Sequence, residues 1–81
     1  MKYAKEVIDL LGPYPGRDFR MMEIVNYIIG KDSSRQEREA ARKAVGRVLQ
    51  AMEASGSLVR TPPEHQRGGY ALYRIKSNEE Q

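Results

Sequence analysis

The chain has no cysteine and only one histidine, His65. Without thiols there is neither a disulfide framework nor a thiolate metal site, and the expected location is the cytoplasm. A lone histidine cannot by itself build a His-based metal centre or a catalytic triad, so a solvated loop role is its ordinary state. No apolar run approaches the roughly 20 residues of a transmembrane helix, so no membrane partner is expected. The short apolar stretch near the N-terminus is interrupted by Glu6 and Asp9, unlike a signal peptide. There is no nucleophile elbow, no phosphate-binding glycine loop and no metal-ligand cluster. The carboxylates are scattered or paired with basic neighbours. The expectation is therefore a non-enzyme, with no cofactor and no evident small-molecule substrate. Eighty-one residues make one small domain with a modest core. There is no internal repeat.

Positive charge is present, and it is unevenly placed. Residues 1–34 carry five basic and five acidic side chains and cancel. Residues 35–47 carry five basic and two acidic, and residues 48–76 carry four basic and two acidic. The tail after Lys76 is acidic. The formal excess of +3 thus resides in one central segment and the segment that follows it. A local positive field favours polyanionic partners. The competing reading is a solvated helix face held by internal Glu–Arg pairs.

A first helix is expected over residues 2–11, with Ala4, Val7, Ile8 and Leu11 on one buried stripe. Gly12 and Pro13 stop it. A turn-rich connector follows to Asp18. Residues 19–21 have the character of a very short strand. A second helix runs on to Ile29, marked by Met21, Ile24, Val25 and Ile28 and widened by Met22 and Ile29. A helix this apolar should be buried on most sides. Gly30 ends it.

The third helix opens with the S-x-x-E spacing of a capping box. Ser34 with Glu37 fits, and Ser33 with Gln36 offers a similar start one residue earlier. Ala41, Ala44, Val45, Val48, Leu49 and Met52 line one side, and Gly56 closes the helix. At about 100° per residue the opposite side carries Arg35, Glu39, Arg42, Lys43, Gly46 and Gln50, with Arg38 and Arg47 on its flanks. Residues 58–61 and 70–75 form two expected strands, and Pro62, Pro63, Gly68 and Gly69 bracket the loop between them. The domain spans residues 1–76, with a frayed polar tail over 77–81.

Three helices with a hairpin directly after the third resemble the winged helix-turn-helix family of DNA-binding regulators. The segment AVGRVLQAMEASGSLV, residues 44–59, carries the likeness. In such a segment large apolar residues pack the recognition helix, as Val45, Leu49 and Met52 do in this reading. A glycine then turns the chain into the first wing strand, the place of Gly56. The segment RGGYALYR, residues 67–74, is similar to the returning wing strand. The resemblance covers residues 2–76. It implies an α+β winged helix, a three-helix bundle with a C-terminal β-hairpin wing. One departure is the stretch from Gly30 to Ala41, longer than the tight turn of a minimal helix-turn-helix. An extended recognition helix, or an extra turn before it, would change which residues face a groove.

Under this resemblance Arg42, Lys43 and Arg47 match the part of the recognition helix that meets DNA. Arginine and lysine can donate to guanine O6 and N7 in the major groove. The bland reading is phosphate contact alone. Arg35 and Arg38, near the helix start, are assigned to phosphate; the alternative is pairing with Glu39 or another nearby acid. Gly46 costs roughly 1 kcal/mol relative to alanine inside a helix. It is explained either by close approach of a DNA backbone or by tolerance on a solvent face. Arg67, at or near the wing tip, is expected in a minor groove or on phosphate; the alternative is a solvated loop residue. Tyr70 and Tyr73 should lie on opposite faces of their strand, one covering the core and the other free to stack or contact phosphate, with core and edge packing the ordinary role of both.

The expected function is sequence-specific binding of double-stranded DNA, in transcriptional regulation. A homodimer on a two-fold site is one arrangement consistent with a module that reads only a short site. The rivals are a protein-interaction winged helix and RNA or replication-origin binding.

Overall fold

The chain orders its elements as α1 (Ala4–Leu11), β1 (Phe19–Arg20), α2 (Met21–Ile29), α3 (Arg35–Ala54), β2 (Leu58–Thr61) and β3 (Leu72–Ile75). The computed structural model describes residues 1–64 and 68–77. The described residues form an α+β domain of three helices and a three-stranded antiparallel sheet.

Helix α1 starts after Tyr3, whose φ of 70° breaks the helical path, and so begins two residues later than the sequence suggests. Val7 and Leu11 are fully buried, whereas Ile8 is 52% exposed. The stripe is therefore centred on Val7 rather than between Val7 and Ile8. Leu11 is about 40° from Val7 around the axis and Leu10 about 60°, but Ile8 is about 100° away, beyond the edge of the stripe. Leu10 packs against the core in its place.

The connector from Gly12 is pinned at its far end. The Gly16 amide donates to the Ile75 carbonyl at 2.9 Å, with Gly16 at a φ of 85° that favours glycine. This tie brings β1 alongside β3. Strand β1 pairs antiparallel with β3 through Phe19↔Tyr73 and Arg20↔Leu72, giving the sheet order β1-β3-β2. Met21, grouped with the strand in sequence, is already the first residue of α2. The Arg20 amide donates to the Glu23 carboxylate at 3.0 Å, satisfying an otherwise unpaired donor at the start of α2.

Helix α2 is less enclosed than its composition implies. Ile24 and Val25 are buried, Ile28 and Ile29 are half-buried, and Met22 and Tyr27 are exposed at 57% and 55%. It packs against α1 and α3 through one stripe, and in a domain this small nothing covers its outer side.

The two serines before α3 divide the capping work. Ser34 forms the box: its hydroxyl accepts from the Glu37 amide at 3.1 Å, and its amide donates to the Glu37 carboxylate at 3.3 Å. Ser33 instead donates to the carbonyl of Ile29 at 2.7 Å, closing the end of α2. Helix α3 then runs for 20 residues and buries Ala41, Ala44, Val45, Val48 and Leu49. Gly56, at a φ of 88°, turns the chain into β2.

Strands β2 and β3 pair from Leu58↔Ile75 to Thr61↔Leu72. The returning strand begins at Leu72, not at Tyr70. Beyond Thr61 the facing residues are Pro62 and Pro63, which have no amide to donate, so the ladder stops. The core joins Val7, Leu11, Phe19, Ile24, Val25, Val45, Val48, Leu49 and Leu58 into one cluster. Among the described residues no helix is long and apolar enough to cross a membrane.

Candidate functional site

The burial stripe of α3 decides what its other side presents. With Val45, Val48 and Leu49 turned into the core, Arg42, Lys43, Arg47 and Gln50 are exposed. The sheet packs beside this helix, and its contribution follows from strand alternation. Leu58 points into the core, so Arg60, two residues on, shares its face of β2. Tyr73 stands directly across from Arg60 on β3. The half-buried Tyr73 packs against the core, as expected for one of the two tyrosines.

Two open clefts flank the Arg60–Tyr73 pair, and both residues line both clefts. The first, of about 510 Å³, lies towards the start of α3 and takes in Arg20, Arg38, Glu39, Arg42 and Tyr70. The second, also about 510 Å³, takes in Lys43, Gly46, Arg47, Gln50 and Glu53. Among the described residues Arg20, Arg38, Arg42, Lys43, Arg47 and Arg60 meet two carboxylates, Glu39 and Glu53. Five of the nine basic residues between positions 35 and 76 thus line a groove between one helix and the sheet, joined there by Arg20.

The internal pairs in this groove are weak. Arg42 is 3.8 Å from Glu39, and the two side chains are 66% and 57% exposed. Such a pair contributes little in water and leaves Arg42 available. Arg38 reaches back to the carbonyl of Gly30 at a long 3.5 Å. Among the described residues Lys43, Arg47 and Arg60 make no ion pair with a carboxylate. The face is solvated, but it is not neutralised from within.

Arg35 stands apart. It is exposed on the first turn of α3 and lines neither cleft. Gly46 is half-buried in the helix, and a Cβ built on it would meet nothing within 4 Å. Packing within the domain therefore does not require this glycine. His65 and Arg67 lie outside the described residues.

Two side chains of the groove were not singled out in the sequence. Arg60 was legible in principle, since alternation from the core residue Leu58 places it on the helix side of β2. Arg20 carried no signal of its own. It enters the first cleft because β1 pairs with β3, which brings its guanidinium 3.9 Å from the centre of the Tyr70 ring. Tyr70, expected on the strand, precedes it and is 53% exposed, stacked against that arginine.

Comparison of the chain with known protein families, curated proteins and solved structures finds no match.

Proposed function

We propose that this chain is a winged helix that binds double-stranded DNA, with α3 as the recognition helix and the β2–β3 hairpin as the wing. The observation that carries the reading is the groove: among the described residues, six basic side chains from α3 and the sheet line it against two carboxylates. The order of elements supports it too, since a hairpin follows directly on the third of three helices.

An α-helix fits the B-DNA major groove, which is about 12 Å wide. At 1.5 Å per residue α3 is about 30 Å long, enough to cross that groove with its outer face exposed. In this reading Arg42, Lys43 and Arg47 are offered to base edges, and Arg42 and Lys43 do the reading. Arg38 lies one turn earlier and meets phosphate, as does Arg35. Arg60 reaches the backbone from the sheet. Phosphate contacts supply most of the affinity, and a few helix side chains supply the specificity. The role that follows is that of a small transcriptional regulator.

The extended start of α3 bears on the register. The helix begins at Arg35, well before the segment that carries the family likeness. Its first two turns therefore add Arg35 and Arg38 as contacts that a shorter recognition helix lacks.

The test is selection of bound sequences from a random duplex pool at about physiological salt. Enrichment of one motif supports the reading, and an enriched palindrome would add a homodimer. Failure to retain any duplex rejects it. One observation favours a second reading, protein docking: Ile8 on α1 and Met22 and Tyr27 on α2 are each more than half exposed. Under that reading duplex DNA binds no better than any other polyanion.

A further inference from the structure

We infer that the cleft between the start of α2, the first half of α3 and the hairpin is a phosphate-binding site. Its ligating groups are Arg20, Arg38 and Arg60, with Tyr70 as the platform for Arg20 and Arg42 at the rim towards the outer face of α3. The ligand is the phosphoryl group itself, carried either by a DNA strand lying along α3 or by a free phosphate ester. Only the first source rests on the function proposed above.

The charge of the cleft is one-sided. Among the described residues four guanidinium groups line it against one carboxylate, that of Glu39. Glu39 is held only loosely by Arg42, at 3.8 Å. Like charges gathered this way repel one another, and an anion placed among them relieves the repulsion. Arginine suits the task because its planar fork of N–H donors matches phosphate oxygens.

Arg20 is already oriented for such a ligand. Its guanidinium lies 3.9 Å from the centre of the Tyr70 ring. A guanidinium stacked on a ring uses its face there and keeps its in-plane donors for other partners. Its Nε is shielded from solvent and has no hydrogen-bond partner among the described residues. An unsatisfied buried donor is costly, and a small turn of the guanidinium that brings Nε–H to a phosphate oxygen would remove that cost.

The cleft also has the right size and lining. About 510 Å³ admits a phosphodiester or a nucleoside monophosphate. Met21 and Val25 form an apolar wall on one side of the cleft. Arg20 and Arg60 come from β1 and β2, outside the recognition helix. A phosphate held here would therefore be gripped from the helix and the sheet together.

The experiment uses the full chain, inorganic pyrophosphate, and separately a duplex carrying the selected site or, if selection yields none, a mixed-sequence duplex. The arginine Nε–H resonances are followed by NMR, with sodium chloride at matched ionic strength as the control. Pyrophosphate should shift the Arg20 resonance saturably, and chloride should not. Arg60→Gln and Tyr70→Leu alter exposed side chains, and circular dichroism checks that both variants stay folded. Each should weaken pyrophosphate binding roughly tenfold. If the source is a DNA strand, both also weaken the duplex, and pyrophosphate competes with it. Pyrophosphate binding that these variants weaken, with duplex affinity unchanged by them, assigns the site to a free phosphate ester. Saturable binding at Arg20 in a chain that binds no duplex keeps the site and removes the DNA reading. Duplex binding with no Arg20 shift from either probe, and no effect of the variants, overturns the site and leaves the DNA reading intact.

Discussion

Arg60 and Tyr73 face each other directly across β2 and β3, and both line the two basic clefts beside α3. The pair couples fold to surface. Tyr73 packs against the core, while the exposed Arg60 adds charge from the sheet to a groove that α3 alone would leave one-sided.

The packing of α3 is tested at Leu49. It is 2% exposed and belongs to the central cluster with Val45 and Val48. Leu49→Ala should cost on the order of 2–5 kcal/mol, through lost burial and the cavity left behind. That is a large share of the stability of a small domain. Urea denaturation measures it. An unchanged midpoint would mean that Leu49 does not pack as described.

The cap is tested at Ser34. Both bonds of the capping box run between Ser34 and Glu37. Ser34→Ala removes the one accepted by the hydroxyl and should cost about 1 kcal/mol. Ser33→Ala should act instead on the end of α2, where its hydroxyl donates to Ile29 and Gly30. Amide exchange separates the two: faster exchange at the start of α3 is expected for the Ser34 variant alone.

Gly46 gives a prediction in which stability and binding part company. Nothing lies within 4 Å of a Cβ at this position, so alanine fits without a clash. Gly46→Ala should stabilise the domain by about 0.5–1 kcal/mol, because glycine is the poorer helix former. The added methyl would project into the cleft shared by Lys43 and Arg47, and duplex affinity should fall. A stabilised variant with unchanged affinity would assign Gly46 to simple tolerance on an exposed face.

Much of this was legible in the sequence. The α3 stripe, the Ser34 cap and the Gly56 turn follow from spacing and from residues with strong local preferences. What was misjudged depended on neighbours. The exposure of Ile8 was set by where α2 and α3 dock on α1, and that of Met22 by the lack of a layer outside α2. The two prolines opposite the returning chain shortened β3, although their missing amides were visible beforehand. At the candidate site, local phase placed Arg42, Lys43 and Arg47 correctly on the outer face of α3. Arg20 escaped notice because only the pairing of β1 with β3 carries it to Tyr70.

Reading and holding should separate on α3. Arg42→Ala should lower affinity for a preferred site more than for random duplex. If Arg42 makes a bidentate base contact, the lost discrimination should be about 1–3 kcal/mol. Arg38→Ala should weaken both complexes by similar factors, because phosphate contacts carry little sequence information. Titration of both duplexes at one fixed salt concentration checks this. Equal losses for Arg42→Ala would make that residue a phosphate clamp.

The most direct test of DNA binding is the salt dependence of duplex affinity. On the proposed reading Arg38, Arg42, Lys43, Arg47 and Arg60, which line the groove, meet phosphate or the groove of a duplex. Each phosphate neutralised should contribute about −0.9 to the slope of log affinity against log salt. One phosphate for each of these side chains would give a slope of about −4 to −5, and with Arg42 and Lys43 on base edges the other three would give about −3. A steep negative slope that becomes shallower by about one unit on removal of Arg38 is the predicted result. A slope near zero, or no duplex binding even at low salt, would contradict the account.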